Sequence, residues 1–337
     1  MSLLERNRYL LAQPFSKNVE TYVCPISKSK NEVSDGLKIA GGWRFFNELR
    51  VIQKKENVFS ESIMTPLKLI EEAKNESKEA LQEAENVIDS ITNKRNSFSN
   101  LNMSQPHIMG IINSTPDSFY KKSRSTNSSF AIKKSNQMIS DGASIIDIGG
   151  ESSRPGAKKI SIEEEMQRVI PSIIDFKKNN LVTQISLDTR NLPTMKLGLE
   201  SGVDIINDIS GFADHNKIKF VSKSNLPVIV MHMQNEPNNM QIEPKYSFAP
   251  IDIYKILSKR VNLLIQMGVN KSNIVVDPGI GFGKNIYHNL EILRNVSLFH
   301  SLGVPILIGL SRKTFIHEVV VKGYKYEGIT KRSISPT

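Results

Sequence analysis

The sequence predicts an α/β fold of the (β/α)8 TIM-barrel type, incomplete, with seven recognisable strands behind an N-terminal appendage. Three observations predict it. From residue 105 onward, short apolar runs alternate with longer amphipathic stretches. Each run ends at or near a polar residue. The first hundred residues follow neither pattern.

The appendage covers 1–100. GLKIAG and RFFNELRVI read as strands, with Gly41 and Gly42 turning the chain between them. Thr65 is suited to cap a helix and Pro66 to occupy its first position. Leu67, Leu69, Ile70, Ala73, Ala80, Ala84, Val87, Ile88 and Ile91 then form a thin apolar stripe. That spacing predicts one long, polar helix from Thr65 to about Arg95. RNSFSNLNMSQ reads as a linker. Lacking motif chemistry, this part is expected to be non-catalytic, so that a chain starting at Asn102 keeps any ligand binding.

The barrel covers 105–337. Its strands are HIMGIIN (107–113), SIIDIGG (144–150), TQISLDT (183–189), DIINDIS (204–210), PVIVMHM (227–233), NIVVDPG (273–279) and PILIGLS (305–311). IEEEMQRVIPSIIDFKK and IDIYKILSKRVNLLIQMG are examples of the helix-like stretches between them. Continuous apolar strands separated by helices are parallel and covered on both faces, in a barrel or a doubly wound sheet. The polar ends decide between the two. Asn113, Asp147, Asp188, Asn207, His232, Asp277 and Ser311 stand at or near the run ends. A doubly wound sheet converges two loops at a switch point, whereas a barrel gathers all strand ends on one face. Any one of these residues is equally well a strand terminator or a helix cap; His232 alone reads more readily as a packed core histidine. As a set they point to a site.

Composition narrows the function. The chain has 337 residues and a formal net charge of +10. A basic balance fits nucleic acid, a membrane surface or an anionic substrate. No Lys/Arg block is interleaved with aromatics, so a nucleic-acid face is not expected. No apolar run approaches the ~20 residues of a membrane span. MSLLERNRYLLAQPF has no long apolar core, and Glu5 counts against an organelle address. Cys24 is the only cysteine, which excludes an intrachain disulfide and suits a reducing, cytoplasmic setting; it is given no role.

The stretch IVVDPGIGFGKN (274–285) places Asp277 at the end of an apolar run and follows it with glycines 279, 281 and 283. Those glycines let backbone come close to a ligand. The spacing matches neither a phosphate-binding P-loop nor a dinucleotide fingerprint.

Seven motifs occur in order: MGIINSTPDSF (109–119), GASIIDIGGESSRPGA (142–157), SLDT (186–189), IINDISG (205–211), VMHMQ (230–234), DPGIGFGK (277–284) and GLSRK (309–313). They resemble the dihydropteroate synthases, pterin-binding barrel enzymes of folate biosynthesis and sulfonamide targets, over about residues 105–335. The resemblance implies a transferase joining 6-hydroxymethyl-7,8-dihydropterin diphosphate to 4-aminobenzoate, with Mg2+, to give 7,8-dihydropteroate and diphosphate. It implies that Asp188, Asn207 and Asp277 contact the pterin, with Asp147 and Met231 lining the same pocket. Phe282 would cover the aminobenzoate channel, with Lys284 near it. Asn113 would be the Mg2+-linked asparagine. Arg154, beside Ser153, would serve the second mobile loop. Lys313, beside Ser311 and Arg312, would hydrogen-bond the pterin and hold the aminobenzoate side.

Two departures bear on activity. The first loop reads TPDSFYKKS where the family continues TPDSF-SDGG; Asp117 remains, and Lys121 stands where the family is acidic. Family members also continue past KRSISPT with a strand ending in Arg-x-His and a last helix. The expectation is therefore a barrel with an open seam, weakly active or inactive alone, forming a homodimer or completed by a second chain. The alternatives are a methyltetrahydrofolate-type pterin methyltransferase, which lacks the ESSRPG and SRK loops, and an inactive truncated remnant that only binds pterin.

Overall fold

The computed structural model describes residues 10–26, 36–56, 58–114, 124–152, 156–157, 159–179, 181 and 183–322. Two compact units are present, one gathering Met1–Ser97, Asn102–Gln105 and Leu293–Ile306, the other Phe98–Leu101, Pro106–Ile292 and Leu307–Thr337. The division departs from a cut near residue 100, because Leu293–Ile306 joins the N-terminal unit.

That unit is built on an antiparallel sheet of β1 (Glu20–Ile26), β4 (Glu48–Lys55) and β5 (Val58–Met64), in the order β1-β4-β5. β2 (Leu37–Lys38) and β3 (Phe45–Phe46) form a small separate ladder. GLKIAG thus yields two strand residues and a 3-10 turn, and RFFNELRVI is split between β3 and β4. β1 escaped the sequence reading because ETYVCPI lacks a clean alternation and carries Pro25. β1 is an edge strand, where a missing N–H is tolerated.

The expected single helix is two, α1 (Pro66–Glu76) and α2 (Lys78–Thr92). Thr65 accepts from the Lys68 N–H at 3.2 Å, with Pro66 in the first turn. The break falls at Ser77, extended at φ −168° and ψ 168°, whose hydroxyl accepts from the Ala80 N–H at 3.0 Å. Ser77 therefore starts a second helix. Leu69, Ala73, Ala80, Ala84 and Ile91 of the predicted stripe share one core with Val23, Leu49, Val51 and Met64 of the sheet, while Leu67 is 81% exposed.

The segment Leu293–Ile306 contains a 3-10 helix, Val296–Leu302, packed against β1 and α2. Arg95, buried, ties it down, donating to Ser90 O at 2.6 Å and His300 O at 3.0 Å. Leu298 and Phe299 are fully buried. A chain starting at Asn102 is thus expected to misfold or aggregate, since uncovering such side chains costs about 1.5–3 kcal/mol each. Thermal melts by circular dichroism and size exclusion check this; a cooperative, monodisperse melt at the full-length temperature would overturn it.

The second unit holds a six-stranded parallel sheet: β6 (Ile108–Asn113), β7 (Ala143–Gly149), β8 (Gln184–Asp188), β9 (Ile205–Asp208), β10 (Val228–Met231) and β11 (Ile274–Asp277). Neighbours in sequence are neighbours in space throughout. Helices α3 (Arg124–Ser140), α4 (Ile162–Lys178), α5 (Leu192–Glu200), α6 (His215–Ser224), α7 (Ala249–Gln266), α8 (Ile286–Arg294) and α9 (Thr314–Lys322) complete the alternation. β9, β10 and β11 are buried at every position, as strands covered on both faces must be. β6 ends the sheet, and its Ile108 and Ile111 are exposed.

The seventh apolar run, 305–311, forms no strand. Pro305 has no N–H and Gly309 weakens strand pairing. The run makes a sheet-like bond, from the Leu307 N–H to Val276 O at 2.8 Å.

Candidate active site

Parallel register brings the polar strand ends together. Asn113 pairs with Gly149 and Gly149 with Asp188, so three neighbouring strands end at one level. Gly149 is small for a reason: a Cβ there would lie 3.4 Å from Asp188 Oδ2 and 3.6 Å from Asn113 Oδ1. The asparagine amide and the aspartate thus flank one glycine at the mouth of the site, with Asn113 exposed.

Asp147 lies deeper, opposite Ser186 in the ladder. Its Oδ2 accepts from Asn207 Nδ2 at 3.2 Å. Its Oδ1 and Ser186 Oγ are both buried, and the Ser186 hydroxyl faces this carboxyl. Burial pushes the Asp147 carboxyl up. Asp188 is pushed well up, first by loss of water and then by the carboxylates of Asp147, Glu165, Asp208 and Glu151. Asp188 is partly exposed. Crowded, buried carboxylates are suited to a ligand edge rich in N–H donors.

Asp277 ends β11 opposite Met231 of β10, and both are buried. Its Oδ1 accepts from the Gly279 N–H at 2.7 Å. Burial raises its pKa, while that N–H, Lys313 and Lys284 pull the other way. The loop beyond needs its glycines, since Gly279, at φ 68°, would put a Cβ 1.9 Å from His232 O. Phe282 follows, and the Lys313 ammonium sits 4.2 Å from its ring centroid. Burial lowers the Lys313 pKa, with Asp277 opposing.

Asn113, Asp188, Met231 and Asp277 end their strands, Asp147 and Asn207 lie near the ends of theirs, Phe282 follows β11, and Lys313 meets Phe282. Ser153, Arg154, Asp117 and Lys121 lie outside the described residues. His232 is buried as expected of a core histidine, but it is also in contact with the buried Lys284, 3.1 Å from its Nδ1.

Several supporting groups were not anticipated. Arg190 pairs bidentately with Glu151, at 3.1 Å for both bonds, and reaches Glu236 at 3.5 Å, joining the turns after β7, β8 and β10. Buried Glu165 of α4 accepts from Thr189, Asn191 and Thr194. Lys217 forms a buried pair with Asp208 at 2.8 Å. None of these pairs follows a local motif; separations of 9–46 residues are closed only by the fold.

Among the described residues no three His, Cys, Asp or Glu side chains are grouped to hold a metal ion. One exposed amide oxygen, on Asn113, suits a cation that keeps most of its waters, as Mg2+ does, and does not suit a structural metal cage. No described helix is long and apolar enough to cross a membrane.

The family model for pterin binding enzymes matches residues 109–334. The chain is 39% identical over 223 residues to the dihydropteroate synthase of Escherichia coli (strain K12), covering 66% of this chain and 79% of that one. It is 40% identical over 222 residues to that of Haemophilus influenzae, with coverage of 66% and 80%. Among solved structures, a Yersinia pestis dihydropteroate synthase with a sulfonamide drug superposes at a TM-score of 0.61, with 36% identity over 65% of this chain and 80% of that one. A Xanthomonas albilineans dihydropteroate synthase in complex with 7,8-dihydropteroate gives 0.58, with 31% identity over 67% and 79%.

Proposed function

Since the chain belongs to the pterin-binding enzymes as a member of the dihydropteroate synthase family, we propose that it joins 6-hydroxymethyl-7,8-dihydropterin diphosphate to 4-aminobenzoate through the residues at its strand ends. The observation that carries this assignment of roles is the crowding of the Asp147 and Asp188 carboxyls with Asn207 on neighbouring strands, in the sheet whose strand β11 ends at Asp277. The amino-pyrimidinone edge of a pterin offers a row of N–H donors. Asp277 accepts two of them as charge-assisted bonds, and Asp188 and Asn207 complete the edge. A ligand that leaves these acceptors empty is rejected strongly. Met231 gives the ring an apolar wall.

Lys313 hydrogen-bonds the pterin and, lying against Phe282, shapes the channel by which 4-aminobenzoate enters. The C–O bond to diphosphate breaks, the electron pair leaves with the diphosphate, and the ring spreads the positive charge of the methylene. The amine nitrogen then bonds to that carbon and releases its proton to solvent. No protein nucleophile is required. Arg154, with Ser153, would meet the diphosphate charge as it develops. Asn113 would hold Mg2+, which when bound neutralises diphosphate oxygens.

The test is a coupled assay for diphosphate release on the purified chain with both substrates. Turnover is expected with Mg2+, is lost with a chelator, and is blocked competitively against 4-aminobenzoate by a sulfonamide. Turnover undiminished by chelation sinks the Mg2+ role. No turnover under any condition sinks the reaction as performed by this chain alone.

A further inference from the structure

Lys284 is buried, with 3% of its surface exposed. An ammonium has three protons to donate, and three acceptors surround this one. Its Nζ donates to Phe282 O at 2.7 Å and to His232 O at 3.2 Å, and stands 3.1 Å from His232 Nδ1. Two of those acceptors lie just past β10 and the third in the loop after β11. That loop adopts left-handed backbone at Gly279, Gly281 and Gly283, which costs little for glycine but supplies no rigidity of its own. It is also held by the Gly279 N–H on Asp277 Oδ1 at 2.7 Å, the Phe282 N–H on Gly279 O at 3.0 Å, the Gly281 N–H on Asn289 Oδ1 at 2.7 Å, Gln241 donating to Gly281 O at 2.9 Å and Tyr246 donating to Gly283 O at 2.8 Å. Lys284 holds the carbonyl of Phe282, whose ring meets Lys313.

We propose that Lys284 is a positioning residue: its buried amine clasps the 279–283 loop to the end of β10, fixing Phe282 against Lys313 on the 4-aminobenzoate side of the site. The inference rests on the reaction assigned above. Four titratable groups face Lys284: His232, Asp277, Lys313 and His288. Burial, then the charge of Lys313, brings the Lys284 amine down to about 7, with Asp277 opposing. His232 is held well below its ordinary range by burial and by Lys284, and His288 is lowered by the same causes. Lys284 therefore changes charge near neutrality. Below about pH 7 it satisfies all three acceptors; above, the neutral amine has one proton fewer and the clasp loosens.

The test compares wild type with Lys284→Met, which keeps the length of the stem, and with Lys284→Gln in case the first fails to fold. Amide hydrogen exchange reads the loop directly. Faster exchange at Gly281 to Lys284 is expected in the variants, with β10 and β11 unchanged. In the synthase assay the KM for 4-aminobenzoate is expected to rise about 10- to 100-fold, while calorimetric affinity for a pterin is unchanged. Across pH 6–8 the wild-type KM should rise with pH, and the variant KM should lack that rise. Unchanged exchange, or equal losses in pterin affinity and in KM, would overturn the proposal. A wild type without synthase turnover counts against the reaction, and the exchange data still decide for or against the clasp.

Discussion

Lys217→Met is expected to destabilise the parallel-sheet unit by about 3–5 kcal/mol, the range for stranding one member of a buried ion pair. Asp208 is fully buried and Lys217 nearly so. The carboxylate accepts from the Ser210 N–H at 2.8 Å, the Phe212 N–H at 3.1 Å and Lys217 Nζ at 2.8 Å. Methionine fills the lysine's volume but leaves the charge uncompensated. The turn that Asp208 organises includes Phe212 at φ 53°, a strained conformation for a bulky side chain that the surrounding bonds must hold. Urea unfolding followed by circular dichroism gives the difference. Adding Asp208→Asn should recover part of the loss, because the stranded charge is then removed. A single-variant loss below about 1 kcal/mol, the scale of an exposed pair, contradicts the buried-pair account. Asn207 is the neighbour of Asp208, so pterin affinity should fall in the same variant.

Asp277→Ala should weaken pterin binding by roughly 100-fold or more. Two charge-assisted bonds disappear, each contributing roughly 1.5–3 kcal/mol, and a factor of ten corresponds to about 1.4 kcal/mol. Isothermal titration calorimetry with a pterin ligand measures it; equal affinity in wild type and variant removes Asp277 from the site. Asp277→Asn keeps one acceptor and should lose less. Because burial raises the Asp277 carboxyl, a proton competes with the pterin, and affinity is expected to fall as pH drops through that raised range. Stability runs the opposite way. The folded chain holds this proton to higher pH than the unfolded chain does, so its contribution is present at low pH. It is lost as pH rises from the ordinary carboxylate range to the raised value.

Asp188, Asn207 and Asp277 were legible because a parallel strand covered on both faces is apolar along its length, so a terminal acid or amide stands out. Asn113 was found by the same logic and by resemblance to a family pattern, and Met231 by that resemblance alone. Ser77 was not legible as a break: its neighbours keep the helical stripe, and only its extended backbone ends one helix and caps the next. β1 and β5 were missed because a mixed antiparallel sheet, buried unevenly, leaves no regular period.

By itself the sequence determined the order of the six parallel strands, the family, and which polar residues end those strands. These are local signals, set by a repeat of apolar positions and by short motifs. Tertiary structure alone decided that Leu293–Ile306 packs under the N-terminal sheet, that run 305–311 is not a strand, and that Arg190, Lys217 and Lys284 find their partners. The physical reason is the same for all. A charge or an apolar side chain is indifferent to partners distant in the chain until folding removes water from around it. Which partner it then meets depends on register and packing, not on spacing in the sequence.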